Sequence, residues 1–185
     1  MDNDISRELI LKAGSGDMAA FEEIYRLTSG FVYNVALGIA RRHAEAEDIT
    51  QEVFIKMYSA LPEFEFRSSF KTWLYRITTN MAISQGRKSG RESDLAAKYK
   101  DHLEIEARQG PSAVPAVVNE NEKIISELLS RLAEDQRACV VLRDMEGLSY
   151  DEIAGILNIP LNTVRSRLHR ARETLLEFAK KETTP

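Results

Sequence analysis

Five nitrogen-rich side chains crowd one short stretch of this 185-residue chain: Arg165, Arg167, His169, Arg170 and Arg172, inside "IPLNTVRSRLHRAR", which holds no acid. A guanidinium is always charged and presents a planar fork of donors, which suits a phosphate or the O6/N7 edge of guanine. The chain as a whole is acidic, with a net charge of −4 and a pI near 5.5, so its positive charge is concentrated rather than spread. A second acid-free stretch runs from Phe66 to Arg91 and carries Arg67, Lys71, Arg76, Arg87, Lys88 and Arg91. Two readings are open. Each stretch is a solvated helix face, or the two together contact one polyanion.

Other chemistry is sparse. The three histidines, His43, His102 and His169, and the single cysteine, Cys139, stand far apart, without the spacing of a zinc site. There is no glycine-rich phosphate loop, no paired His–carboxylate metal motif and no nucleophile elbow. No catalytic residue, metal or cofactor is expected. Cys139, in "RACVVL", reads as a small buried hydrophobe rather than a redox sensor. No apolar run approaches the roughly 20 residues of a membrane span. The acidic start "MDNDISRELI" lacks the basic and apolar regions of a signal peptide. A cytoplasmic protein is expected.

The elements that must position the arginines are helices. "GDMAAFEEIYRL" offers Asp17 as an N-cap, with a helix running on through "FVYNVALGIARR" and a bend near Ser29 and Gly30. "AEAEDITQEVFIKMYSAL" places Ile49, Val53 and Met57 on one face and stops at Pro62. "FKTWLYRITTNMAISQGRK" puts Leu74, Ile77 and Met81 on one face and Tyr75, Arg76, Thr79, Asn80 and Ile83 on the other, with Gly86 weakening its end. From 91 to 119 glycines, prolines and scattered charge suggest a flexible linker, with a marginal helix in "SDLAAKYKDHLEIEA". A second helical part follows from Glu120: Ile124, Ile125, Leu128, Leu129 and Leu132 form a stripe, and "AEDQRACVVLRDMEG" forms a helix with Gly147 just past its end. No stretch alternates with period two, so the fold class is all-α: two small helical domains, 1–90 and 120–185.

The last two helices make the sharpest pattern. Ser149 and Glu152 form a capping box, "NIPL" is a tight turn, and Asn162 caps a final helix to about Ala179. On that helix Val164, Leu168, Ala171 and Leu175 fall within about 60° of one another and face inward. Arg165, Ser166, His169, Arg170 and Glu173 face outward, flanked by Arg167 and Arg172. This is a helix-turn-helix with a recognition helix in the layout that reads the major groove.

"GLSYDEIAGILNIPLNTVRSRLHRAR" resembles the C-terminal DNA-binding region of bacterial extracytoplasmic-function (ECF) sigma factors. "AEDITQEVFIKMY" looks like their polymerase-binding helix, and "FRSSFKTWLYRITTNMAI" like their −10 segment. The resemblance covers nearly all of the chain except the first few residues and the linker. It implies that Asn162, Thr163, Arg165, Ser166, Arg167, His169, Arg170 and Arg172 meet the −35 element. It implies that Phe66, Arg67, Lys71, Tyr75, Arg76, Thr79, Asn80 and Ile83 meet the −10 element, the loop of about Pro62 to Ser69 helping to hold a flipped base. By the same resemblance Glu47, Asp48, Gln51 and Glu52 dock on the clamp coiled coil of core RNA polymerase, and an anti-sigma factor is expected to control the protein. Trp73 has a rival reading as core filler. A helix-turn-helix regulator working outside the polymerase explains the last two helices equally well, but leaves the first 90 residues without a purpose.

Overall fold

The computed structural model describes residues 5–99 and 120–182. All regular structure among them is helical: α1 (Arg7–Gly14), α2 (Met18–Ala40), α3 (His43–Ala60), α4 (Phe70–Tyr99), α5 (Glu120–Ser130), α6 (Glu134–Val140), α7 (Tyr150–Leu157) and α8 (Leu161–Glu182). Asp17 caps α2 as expected, its carboxylate accepting from the Ala19 and Ala20 amides. No break interrupts α2 at Ser29 and Gly30. Pro62 falls in a 3-10 turn, Leu61–Glu63, that closes α3.

Helices α2, α3 and α4 form a bundle beneath α1. Along α2, Ile24, Val32, Val35 and Ile39 are buried; they meet Ile49, Val53 and Met57 of α3 and Leu74 and Ile77 of α4. In the second half Ile153 and Ile156 of α7 pack with Val164, Leu168 and Ala171 of α8 and with Cys139, Val141 and Leu142. Fully burying one such Ile or Leu side chain stabilises by roughly 1.5–3 kcal/mol. Helix α6 ends in a π-helical turn, Val141–Met145, and Gly147 follows at φ 73°, the left-handed position where a helix commonly terminates.

Four expectations need correction. Helix α4 does not end near Gly86 but continues to Tyr99, into the span read as linker; the rest of that span, 100–119, lies outside the described residues. A Cβ on Gly86 would come within 2.8 Å of Glu134 Oε1, so the glycine serves close packing inside the helix rather than its end. Asn162 does not cap α8: the helix starts at Leu161, and the Pro160 carbonyl accepts from the Thr163 and Val164 amides. In α5 only the later part of the stripe is covered: Leu129 and Leu132 are buried, whereas Ile124 is 56% exposed because the first turns of α5 stand clear of the core.

The two helical domains pack against each other. Their buried residues form one continuous core. A Cβ on Gly38 of α2 would lie 2.9 Å from Val141 Cγ2, so the backbone of α2 is pressed against the π-helical turn. Arg137 joins the halves from inside. Its guanidinium donates to the Leu129 and Leu132 carbonyls at the end of α5 and to the Ile39 carbonyl at the end of α2, at 2.7–2.8 Å. Helix C-termini carry partial negative charge, so three such carbonyls can satisfy a buried cation without a carboxylate. Burial, then the nearby charge of Arg41, push its pKa down to about 10, which leaves it charged at neutral pH.

Candidate nucleic-acid interface

The helix-turn-helix is built as its sequence requires. The Ser149 hydroxyl accepts from the Glu152 amide while the Glu152 carboxylate accepts from the Ser149 amide, closing the capping box at the start of α7. The Ser149 hydroxyl also donates to the Glu152 carboxylate at 2.7 Å, and this bond, then the one from the Ser149 amide, holds that carboxyl below the usual carboxylate range. Asn158 ends α7 in the left-handed region at φ 52°, a conformation asparagine tolerates better than most residues. Three residues on, α8 begins. Its inner face, Val164, Leu168 and Ala171, is buried, with Leu175 half-buried.

The outer face of α8 is exposed at Asn162, Arg165, Ser166, His169 and Arg170, with Thr163 half-buried. Arg165 and Arg170 make no ion pair among the described residues. His169 Nε2 lies 3.3 Å from Glu173. The two flanking arginines turn back toward the protein. Arg172 reaches Asp144 at 3.3 Å, and a hydrogen bond with Tyr150 is the main cause of its raised pKa. Arg167 pairs with Asp135 at 2.8 Å.

Helix α4 is different. Arg76, Asn80 and Lys71 are exposed and Ile83 is half-buried, but Tyr75 is 1% exposed and Thr79 fully buried. Those two do not share an open face with Arg76 and Asn80. The physical reason is that α4 is central: α2 and α3 cover one side of it and α6 and α7 the other. The Tyr75 ring packs on Phe31, its centroid 5.1 Å away, and its hydroxyl donates to Glu146 at 2.6 Å, while burial pushes the phenol far up. The Thr79 hydroxyl is satisfied by its own helix, donating to the Tyr75 carbonyl at 2.8 Å. Arg76 is drawn across to the Gly155 carbonyl of α7 at 2.9 Å.

Ahead of α4, Phe64, Phe66, Phe70 and Trp73 form an aromatic cluster with centroids 4.8–5.8 Å apart. Trp73 is half-buried in it, which agrees with its core-filling reading. Phe66 sits at φ 58°, a region bulky side chains rarely occupy, and the Arg7 guanidinium lies 4.5 Å from its ring centroid. Arg67 pairs with Glu65 at 2.6 Å. On α3, Glu47, Asp48, Gln51 and Glu52 are all exposed on the side away from buried Ile49 and Val53.

Four groups had no signal in local pattern: Asp135, Arg137, Glu146 and the Gly155 carbonyl. Asp135 reads as an ordinary first-turn acid of α6, and its partner Arg87 is 48 residues away. Cys139 is buried, and burial raises its thiol pKa to about 11, so it stays protonated at neutral pH.

A capped helix-turn-helix with a basic outer face, beside a second helical bundle, defines a helical DNA-binding protein. Sequence comparison makes this specific. The Sigma-70 region 2 profile matches residues 24–92 and the Sigma-70, region 4 profile matches residues 122–175. The chain is 36% identical over 181 residues to the ECF RNA polymerase sigma-E factor of Escherichia coli, with 90% of each chain covered. It is 33% identical over 177 residues to the RNA polymerase sigma-H factor of Pseudomonas aeruginosa, with 91% of each covered. Among solved structures, the sigma factor RpoE bound to the anti-sigma factor NepR from Bartonella quintana is 30% identical, with a TM-score of 0.65 over 86% of this chain and 96% of that one. CnrH bound to the cytosolic domain of CnrY shares the fold at a TM-score of 0.72 and 21% identity, over 97% of this chain and all of that one. The chain belongs to the ECF sigma factors of the sigma-70 family.

Proposed function

We propose that this sigma factor directs core RNA polymerase to promoters through two DNA contacts and a separate docking face. The −35 contact is made by Asn162, Thr163, Arg165, Ser166, Arg167, His169, Arg170 and Arg172. Arg165 and Arg170 read base edges; Arg167 and Arg172, at the flanks, meet phosphates. The −10 contact is made by Phe66, Arg67, Lys71, Arg76, Asn80 and Ile83 around the aromatic loop. Tyr75 and Thr79 are left out of this set, because both serve the core. Glu47, Asp48, Gln51 and Glu52 dock on the clamp coiled coil of the polymerase. The protein supplies no reacting group of its own and works in the cytoplasm; among the described residues no helix is long and apolar enough to cross a membrane. Control by an anti-sigma factor is supported by the Bartonella relative, which was solved with one.

The observation that carries this reading is the exposed, acid-free face of α8 from Asn162 to Arg170, set on a capped α7. Run-off transcription with purified core polymerase tests it. The protein alone should support initiation from its own promoter, and changes to the −35 sequence should abolish it. A protein that binds the promoter yet never starts transcription with core enzyme would be a regulator of another kind.

A further inference from the structure

The arginines proposed to meet DNA are partly spoken for inside the protein. Asp135, at the start of α6, accepts from Arg87 of α4 through Oδ1 at 3.0 Å and from Arg167 of α8 through Oδ2 at 2.8 Å. One carboxylate thus joins a cation from the proposed −10 helix to a cation from the proposed −35 helix. The pairs line a cleft of about 590 Å³ between the halves, with Asn80, Ser84, Lys88 and Leu157 among its walls. Nearby, Arg76 is tied to the Gly155 carbonyl and Tyr75 to Glu146. Every one of these bonds crosses between the halves except that of Arg167, and together they tie down Arg76 and border the cleft that Asn80 lines.

A carboxylate between two guanidiniums occupies the place a DNA phosphate would take. We infer that Asp135 is an internal stand-in for phosphate, and that it holds the two DNA-facing helices together in a closed state that cannot read a promoter. This rests on the DNA-contact reading above. Removing the carboxylate would leave Arg87 and Arg167 converging with no charge between them, so the closed state would lose an attraction and gain a repulsion. The ion pairs border an open cleft, so salt should screen them. The remaining ties, Arg137 to Ile39 and Tyr75 to Glu146, are hydrogen bonds set in the half-buried or buried interior and should resist salt.

Two variants of the full chain test the latch from opposite directions. The first combines Asp135→Asn with Glu146→Ala. The second combines Gly86→Cys with Glu134→Cys in a Cys139→Ala background, to lock the halves with a disulfide. A Cβ on Gly86 would lie 3.6 Å from Glu134 Cγ, so the two positions face each other across the halves. Small-angle X-ray scattering reads the radius of gyration at rising salt, and a promoter-fragment titration reads the affinity of the free protein. The first variant should expand at lower salt than the parent and bind the fragment about three- to tenfold more tightly, since two partly exposed ion pairs and one hydrogen bond are lost. The locked variant should initiate transcription only after reduction. Should the first variant match the parent in size at every salt concentration and in affinity, or the oxidised variant initiate as well as the reduced one, the latch is refuted. Failure of the parent to initiate with core polymerase would instead remove the promoter reading, while the scattering comparison would still decide whether Asp135 holds the halves together.

Discussion

Helices α4 and α8 carry the same kind of chemistry, arginines with small polar neighbours, and meet opposite fates. The outer face of α8 is open from Asn162 to Arg170, whereas on α4 only Arg76 and Asn80 stay open and Tyr75 and Thr79 are lost from solvent. The difference arises from position. Among the described residues α8 packs on α6 and α7 along its apolar side. As the central helix, α4 has neighbours on two sides. A basic, polar helix face is therefore no guarantee of an available face: what lies across it decides, and here that is the other half of the same protein.

The largest expected effect comes from loosening the cover. Arg137→Ala removes the donor for three buried carbonyls and one tie between the halves. It should destabilise by about 2–4 kcal/mol, given that each buried polar group left unpaired costs roughly 1–3 kcal/mol and water can re-enter in part. A urea melt followed by circular dichroism reads it; a loss under about 0.5 kcal/mol would mean that the halves do not depend on this staple.

Open faces should behave in the contrary way, losing binding without losing stability. Asp48→Lys with Glu52→Lys puts two wrong charges on the exposed side of α3 and should cost several kcal/mol in core-polymerase binding, with an unchanged melt. Full retention of binding would place the dock elsewhere. On α8, Arg165→Ala or Arg170→Ala should each cost about 1–3 kcal/mol and relax preference among −35 variants, whereas Arg172→Ala, already turned toward Tyr150 and Asp144, should weaken all sequences alike. Selectivity unchanged in both of the first two would remove the outer face from the account.

The smallest effects sharpen how the cover fits. Gly38→Ala and Gly86→Ala are the same substitution in two helices that face the second half. At Gly38 the new methyl meets buried Val141 at 2.9 and 3.2 Å; at Gly86 it meets the flexible end of Glu134 at 2.8 Å. Overpacking costs about 1–3 kcal/mol and the gain in helix propensity is about 1 kcal/mol. The first should lower the melting temperature by a few degrees; the second should leave it level or raise it. Equal shifts would mean that the tight contact of α2 with Val141 is not rigid.

Much of this was legible in sequence, and the limits have a physical pattern. Asp17, the Ser149–Glu152 box and Gly147 were readable because caps and left-handed turns are local chemistry. The inner stripe of α8 was readable because Val164, Leu168 and Ala171 repeat at the helical period. Tyr75 and Thr79 were misplaced because a helical wheel assumes one buried side, and α4 has two. Asn162 was misread as a cap because its type suits that position, while Pro160, one place ahead of the helix, already supplies the carbonyl. The Asp135 hub was invisible because nothing within α6 announces partners 32 and 48 residues away.

The most direct test of the contrast between the two helices is a photo-crosslinking residue placed at Asn80, on the cleft side of α4. In the free protein it lines the cleft beside Leu157 and Ile159. The crosslinks should therefore run to the α7–α8 turn when the protein is alone, and to the −10 DNA once it is assembled with polymerase on a promoter. Continued crosslinking of Asn80 to its own α7–α8 turn in an actively initiating complex would show that α4 never opens, and would contradict the two-contact account.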